Sequence, residues 1–286
     1  MSERPREVID AHHHLWRYNP AEYGWIDDEM KALRRDFLPA DLEVAMASAG
    51  IDGTVAVQAR QTLDETRWLL DLADKTDAIR GVVGWAPIAG EEFPGCMEEF
   101  DGRAKLKGLR HVIQGERDEH YILREDFNSG IRTLLGSGLV YEILIYERHL
   151  ADTIYFVDGH PDQVFVLDHI AKPLIAAGVL QPWASQMMEL GQRHNVWCKL
   201  SGMVTEADWR TAGTAAWTPQ SLKPYLDIAV EAFGPERLMA GSDWPVCLLA
   251  SGYAQCFEVL RNYFAPFTES ERASVFGAIA TAVYGL

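Results

Sequence analysis

The chain has 286 residues, 48% of them hydrophobic, and a formal net charge of −16 at pH 7. A protein this acidic repels the phosphate backbone of nucleic acids, so we expect no nucleic-acid partner. No apolar run reaches the ~20 residues of a membrane-spanning helix, and the N-terminal segment MSERPREVID lacks the apolar stretch of a signal peptide. Four scattered cysteines without C-x-x-C spacing argue against a zinc ribbon and for a reducing compartment, and we expect a cytoplasmic protein.

Short runs rich in β-branched and apolar residues recur along the chain and predict eight β-strands. In chain order they are 8–16, 53–59, 80–86, 106–112, 139–146, 164–170, 196–201 and 238–243. Helical patterns lie between them, such as PADLEVAMASAG, in which Pro39 stands near the start and Gly50 at the end. Further helical patterns cover 64–76, 126–138, 182–194 and 219–234.

Strands that alternate with helices are typical of a parallel sheet, and eight of them match one (β/α)8 TIM barrel, a fold of about 250 residues. We therefore predict a single α/β barrel domain over residues 1–286. A doubly wound open sheet is the alternative, but no glycine-rich phosphate-binding loop follows the first strand. The long segment 17–37 follows that strand, and loops after strands lie on the catalytic face of a barrel. Its Trp25 either stacks on a ligand or packs within the protein.

The first predicted strand ends in three consecutive histidines, within VIDAHHHLW. Because alternate side chains of a strand share a face, we expect a polar face that comprises Asp10, His12 and His14. The opposite face, packed on helices, comprises Ile9, Ala11, His13 and Leu15. His12 and His14 form an H-x-H pair that can bind one metal ion or one substrate oxygen; ordinary hydrogen bonding is the alternative.

Two other predicted strands end in charged residues. Within VFVLDHIAKP an apolar strand ends in Asp168 and His169, and within LMAGSDWP another strand ends at Asp243. A charge there would be costly in a core but suits the mouth of a barrel. Together with His12 and His14, these residues place an H-x-H, H, D pattern on the first, sixth and eighth strands.

The segments IDAHHHLW, LDHIAKP and GSDWP resemble the amidohydrolase superfamily, specifically the amidohydrolase-2 branch that contains L-fuconolactonase, L-rhamnonolactonase and pyrone-dicarboxylate lactonase. YGWI, KGLRH and YEILIYERHL fit as well, so the resemblance extends from the first strand to the last. It looks closest to the sugar lactonases and implies a barrel that hydrolyses a small-molecule sugar lactone. It also implies that the family's active-site positions are occupied by His12, His14, His169 and Asp243.

Binuclear members of this superfamily bridge two ions with a carboxylated lysine at the end of the fourth strand. Here that strand ends in Arg110 and His111, and Lys105 and Lys107 come too early, so we expect at most one metal ion. The three active-site histidines and Asp243 could bind one Zn²⁺ with an open position for water. The branch also includes members that do not need a metal, in which the histidines hydrogen-bond the lactone carbonyl, so the requirement stays open.

The resulting hypothesis makes Asp243 the general base for a water that attacks the lactone carbonyl. His12, His14 and His169, or a metal ion that they hold, then stabilise the oxyanion. Arg110 either pairs with developing negative charge or forms a salt bridge with a neighbouring acid. Further substrate-binding candidates at the strand ends and in loop 17–37 are Trp25, Gln58, Arg60, Glu142 and Trp244.

Glu142 bears on the substrate class, because a carboxylate in the mouth would suit neutral polyols and repel dicarboxylates. A pyrone-dicarboxylate would need converging arginines, for which Arg60, Arg110 and Arg117 are candidates. Lys172 either faces the site or forms a salt bridge, which we favour. The remaining histidines, interpreted as structural or surface residues, are His111, His120, His149, His160 and His194.

Two other functions compete with the sugar lactonase. A metal-dependent decarboxylase of the same superfamily would need a firmly bound divalent ion and an aromatic or enoic carboxylate substrate. A non-catalytic binding protein would require the strand-end pattern to be coincidental or vestigial. The sequence does not identify the sugar, since such lactones differ by single hydroxyl or methyl groups.

Overall fold

The structure, a computed structural model, describes residues 7–207, 209 and 217–286. Eight parallel strands follow one another in chain order in one sheet. They are β1 (Ile9–His13), β2 (Gly53–Val57), β3 (Ile79–Gly84), β4 (Leu106–Val112), β5 (Val140–Leu144), β6 (Phe165–Leu167), β7 (Val196–Leu200) and β8 (Leu238–Ala240). The barrel closes between β8 and β1, because just beyond β8 the Asp243 amide donates to the His12 carbonyl of β1 at 2.8 Å. The predicted (β/α)8 barrel is confirmed, while residues 1–6, 208 and 210–216 of the predicted domain lie outside the described residues.

Helices follow the strands along the chain. They are α1 (Pro39–Ala49), α2 (Leu63–Ala73), α3 (Phe93–Glu99), α4 (Glu125–Leu134), α5 (Leu150–Asp158), α6 (Trp183–Leu190), α7 (Met203–Glu206), α8 (Pro219–Phe233), α9 (Tyr253–Phe264), α10 (Glu269–Ala273) and α11 (Ile279–Tyr284). Each of the predicted helical segments overlaps one of them. Gly50 ends α1 at φ 62°, a left-handed conformation that glycine adopts without steric cost. None of the helices in the described residues is long and apolar enough to cross a membrane.

The core consists of two layers, one inside the barrel and one between the strands and the helices. Inward-pointing side chains form one buried cluster of Ile9, Ala11, Val55, Val57, Val83, Val140, Val166 and Met239, which Ala280 and Tyr284 of α11 join. A larger cluster packs the outer faces of the strands against the helices. Because both faces of these strands are buried, their sequences are nearly continuous apolar runs.

The alternation predicted for the first strand is wrong in its first half. β1 pairs with β2 with a register shift between Asp10 and His13, and a bulge of this kind re-aims the side chains around it. Ile9 and Ala11 therefore point into the barrel interior instead of packing on helices.

Asp10 does not share a face with His12 and His14. Its Oδ2 accepts hydrogen bonds from the Ser242 hydroxyl at 2.6 Å and from the Tyr253 hydroxyl of α9 at 3.0 Å. Its Oδ1 accepts from the backbone amides of Ser242 at 2.9 Å and His12 at 3.1 Å. Asp10 therefore ties β1 to the end of β8 and to α9, and it has a structural role.

Gly130 lets α4 pack closely against the segment that follows β3. A Cβ atom at this position would lie 1.9 Å from the carbonyl oxygen of Ile88. We expect Gly130→Ala to lower the free energy of unfolding by about 1–3 kcal/mol through overpacking, as measured by urea denaturation. Gly95→Ala in α3 is the control, because a Cβ atom there meets nothing within 4 Å and should leave stability unchanged or slightly raised. Equal losses in the two variants would contradict this explanation.

Candidate active site

A cavity of about 990 Å³ opens at the carboxyl ends of the strands. Its wall comes from the ends of the strands and the segments that follow them, with contributions from β1, β2, β4, β5, β6, β7 and β8. Loop 17–37 supplies one side, including Glu22, Gly24 and Trp25. The loop is fixed at both ends, since Trp16 and Phe37 exchange backbone hydrogen bonds of 3.0 and 2.9 Å. It therefore lies at the carboxyl ends of the strands and lines the cavity there, as expected.

Asp243 lies at the inner end of this cavity among three imidazoles. Its Oδ1 is 3.3 Å from His14 Nε2, 3.8 Å from His12 Nε2 and 4.0 Å from His169 Nε2. The backbone of Asp243 has φ 58°, a left-handed conformation that is uncommon for residues other than glycine. Side chains predicted from three separate strand ends thus converge on one point.

The imidazoles of His14 and His169 are each held through Nδ1. His14 Nδ1 donates to the carbonyl oxygen of Val57 at 2.8 Å, which fixes the ring with its Nε2 toward Asp243. His169 Nδ1 lies 2.9 Å from the Ser201 hydroxyl, which can accept or donate and so permits either tautomer. Burial lowers the pKa of His169 to about 4, and this imidazole is therefore neutral at neutral pH.

His12 is held from behind by a buried charged network. Its Nδ1 lies 3.3 Å from Asp168 Oδ1 and 3.2 Å from Lys199 Nζ. Asp168 also accepts a hydrogen bond from Arg110 Nη1 at 2.8 Å and lies 3.3 Å from Lys199 Nζ. Burial alone would raise the pKa of Asp168, but Lys199 and its other partners hold it well below its usual range. Burial and then the charge of Lys199 lower the pKa of His12, so this imidazole is neutral as well.

Sequence reasoning missed Lys199, which lies on β7 inside the barrel. Its fully buried ammonium donates to Glu142, which also accepts from the Tyr284 hydroxyl. Burial and then the Asp168 charge raise the pKa of Glu142 to about 7. The sequence did carry one sign of this position, since Lys199 is the charged residue within the strand VWCKL. It lies two positions after Trp197, which packs against the interior cluster, so the two side chains share a face of the strand.

The residues around Asp243 fit a site for a single metal ion. Two sets of ligand atoms lie close enough to share an ion: His12, His14 and Asp243, and His12, Asp168 and His169. The Nε2 atoms of His12 and His14 are 3.3 Å apart, close to the separation of about 3.4 Å that tetrahedral zinc–nitrogen bonds of roughly 2 Å produce. A carboxylate on the far side of a ligating imidazole, as Asp168 is for His12, is a frequent support for such ligands.

Trp25 and Arg110, two of the residues predicted to bind substrate, line the cavity. Trp25 is 40% exposed and packs edge-on against Trp16, with ring centroids 5.7 Å apart. Arg110 donates to Asp168 and to the carbonyl oxygen of Gln58. Of the two roles left open for Arg110, the structure shows the salt bridge.

Gln58, Glu142 and Trp244 do not line the cavity, contrary to the prediction. Gln58 is fully buried, and its amide donates at 3.3 Å to a backbone carbonyl of β4. Glu142 lies in the middle of β5, one layer below the mouth, where it binds Lys199. Trp244 packs edge-to-face on Phe37 with ring centroids 5.2 Å apart. The expectation that Glu142 gives the mouth a negative wall is therefore wrong.

The remaining candidates divide between the cavity and the surface. Arg60 and Lys172 line the cavity, whereas Arg117 is exposed outside it. Five histidines predicted to be structural or on the surface lie away from the cavity wall: His111, His120, His149, His160 and His194.

Lys199→Met leaves Glu142 and Asp168 without their shared cation inside the barrel. Because an unpaired buried charge is costly, we expect the free energy of unfolding to fall by about 3–5 kcal/mol, as measured by urea denaturation. Lys199→Met/Glu142→Gln removes the pair together and should restore part of that loss. Lys223→Met is the control, since its ammonium pairs with Asp227 on the surface and should contribute less than about 1 kcal/mol. An equally small loss for Lys199→Met would contradict the prediction.

Comparison with known proteins identifies the family of this barrel. The Amidohydrolase family profile matches residues 9–286. An L-fucono-1,5-lactonase from Burkholderia multivorans is 39% identical over 285 residues, covering 97% of this chain and 96% of that protein. An L-fucono-1,5-lactonase from Burkholderia ambifaria is 34% identical, covering 96% and 94%. The crystal structure of a Burkholderia multivorans amidohydrolase with bound zinc matches with a TM-score of 0.93 and 39% identity, covering 98% of this chain and 99% of that one. The chain therefore belongs to the amidohydrolase family, as its strand-end motifs predicted.

Proposed function

We propose that this protein hydrolyses the lactone ring of a sugar acid, an aldonolactone such as an L-fucono- or L-rhamnono-lactone. The observation that carries this proposal is the convergence of a carboxylate and three imidazoles at the inner end of a large cavity. The similarity over nearly the full chain to two L-fucono-1,5-lactonases supports the same class of reaction.

Asp243 acts as the general base. Burial would raise its pKa, but His169 and His14 hold it below its usual range, so the carboxylate is ionised at neutral pH. It takes a proton from the water that attacks the carbonyl carbon of the lactone. The proton then passes from Asp243 to the ring oxygen as the acyl–oxygen bond breaks, and the product is an open-chain hydroxy acid.

The histidines stabilise the negative charge that develops on the carbonyl oxygen. His12 can accept from Lys199 at Nδ1 and His169 from Ser201 at Nδ1. In that state, and without a bound ion, their Nε2–H groups donate toward the cavity. His14 differs from these two, because its Nδ1 donates to a backbone carbonyl and cannot accept there.

We also propose that this site binds one divalent ion, zinc, through His12, His14, His169 and Asp243. The 3.3 Å spacing of two imidazole nitrogens supports this proposal, as does the zinc bound to the related amidohydrolase. A bound ion would polarise the lactone carbonyl and lower the pKa of the attacking water. To hold an ion through Nε2, each imidazole would instead carry its proton on Nδ1, where Asp168, the Val57 carbonyl and Ser201 can accept it.

The charges of the cavity wall favour a neutral substrate over a dicarboxylate. Arg60 is paired with Glu22, and Arg110 with Asp168. Arg117 is exposed outside the cavity. Within the part of the chain that the structure describes, the arginines that a pyrone-dicarboxylate or an aromatic carboxylate would need therefore do not converge, and neither the pyrone-dicarboxylate lactonase nor the decarboxylase is favoured.

Asp243→Asn is expected to lower kcat by about 10²–10⁴-fold, since the amide cannot take the proton of the attacking water. The measurement is acid release from a panel of 1,4- and 1,5-aldonolactones, followed with a pH indicator. Asp227→Asn, on the exposed face of α8, is the matched control and should retain full activity. Full activity of Asp243→Asn would eliminate this residue as the base.

Protein treated with a chelator is expected to bind one Zn²⁺ per chain in a calorimetric titration. His14→Ala should weaken this binding at least tenfold, because it removes a ligand that faces Asp243. His160→Ala, whose imidazole contacts Asn128 outside the cavity, is the control and should bind zinc like the wild type. Unchanged binding by His14→Ala would contradict the proposed ligand set. Lactone turnover measured before and after chelation shows whether the histidines act directly or through the ion.

A further inference from the structure

The segment after β6 has an unusual backbone conformation. Four consecutive residues other than glycine have left-handed φ angles: His169 at 53°, Ile170 at 48°, Ala171 at 60° and Lys172 at 48°. L-amino acids adopt this conformation only at a steric cost, and runs of it are rare. Strained backbone of this kind tends to occur at functional sites, which raises the question of what this turn positions.

The turn brings the side chains of His169 and Lys172 to the same cavity. The Lys172 amide donates to the His169 carbonyl at 2.9 Å, and in a turn closed by such a bond the side chains at positions i and i+3 lie one above the other. Both residues line the cavity, while Ile170 and Ala171 between them are fully buried. The Trp183 indole donates to the Ile170 carbonyl at 2.8 Å and holds the turn. The proposed mechanism uses His169 but gives no role to Lys172.

Lys172 differs from the other cations of the cavity wall. Arg60 and Arg110 are committed to Glu22 and Asp168. Lys172 forms the salt bridge favoured from the sequence, with its ammonium 3.6 Å from Glu206 Oε1, a distance longer than a hydrogen bond. Lys172 thus has no short hydrogen bond to its partner carboxylate, and its ammonium keeps N–H donors for a ligand.

The gap between Lys172 and Glu206 has the chemistry of a hydroxyl-binding site. Both side chains line the cavity, with exposed fractions of only 18% and 22%. The ammonium also lies 5.6 Å from the centre of the Tyr146 ring, a contact that restrains its position. A hydroxyl group can accept from the ammonium and donate to the carboxylate at once, whereas a substrate carboxylate would be repelled by Glu206.

We propose that Lys172 and Glu206 bind the ring hydroxyl groups of the substrate and make the enzyme selective for polyhydroxylated lactones over unsubstituted ones. This inference rests on the proposed lactonase function, because it assigns the substrate contacts of the same cavity. Lys172 donates to one hydroxyl and Glu206 accepts from that hydroxyl or its neighbour. The left-handed turn fixes the position of Lys172 relative to His169. Binding of the ring hydroxyl groups therefore places the lactone carbonyl next to His169.

The test compares kcat and KM for an aldonolactone and for δ-valerolactone, a lactone without hydroxyl groups, in the wild type, Lys172→Met and Glu206→Gln. We expect each variant to lose about 10–100-fold in kcat/KM for the aldonolactone, mainly through KM, as befits a lost hydrogen bond to a charged group. The kcat/KM for δ-valerolactone should change by less than about threefold, since that substrate makes no such bond. Lys223→Met, which alters an exposed lysine of α8, is the matched control and should behave like the wild type.

Two outcomes would overturn the inference. Parallel losses for both lactones, or no loss for either, in a wild-type enzyme that hydrolyses them would refute it and leave the proposed function intact. A wild type that hydrolyses no lactone would refute the proposed function, and this inference with it. The two variants protect against a folding artefact, because Glu206→Gln leaves the left-handed turn unchanged, and thermal unfolding of each variant is measured alongside.

Discussion

Inside the barrel, the carboxylate of Asp168 accepts a hydrogen bond from Arg110 and lies 3.3 Å from both Lys199 Nζ and His12 Nδ1. Charges buried this deeply are stable only as a set, because removing one partner leaves an uncompensated charge in a medium of low polarity. The same contacts hold the His12 imidazole and, through it, the arrangement around Asp243. The pairing that makes the interior stable therefore also sets the geometry of the proposed chemistry.

The cavity above this network has a different electrostatic character. Its charges occur in pairs across neighbouring loops, such as Arg60 with Glu22 and Lys172 with Glu206. A wall of paired charges offers hydrogen-bond donors and acceptors, while its positive and negative charges largely balance. Such a wall suits a neutral molecule rich in hydroxyl groups, whereas the inner end of the cavity concentrates the groups that move protons.

The sequence predicted the barrel and the family, and the placement of His169 and Asp243 in one cavity followed from their positions at strand ends. It could not predict the depth of Glu142, because alternation shows which face a side chain occupies but not how far it lies from the mouth. It also misplaced Ile9 and Ala11, because a bulge breaks the alternation and depends on the pairing of two strands. The charge of Lys199 within an apolar strand was a sign of a buried polar group. The sequence could not show its partners, because they come from other strands of the barrel.

By itself, the sequence determined the order of strands and helices, the barrel class, the family and the identity of Asp243 and the three histidines around it. These properties depend on local periodicity and on short motifs, which the chain carries within each segment. Only the tertiary structure decided which strand-end side chains reach the cavity, which are buried in salt bridges below it, and that His169 and Lys172 meet there on a left-handed turn. The physical reason is that depth, pairing and orientation arise from the register between strands and from barrel closure, which bring together residues distant in sequence.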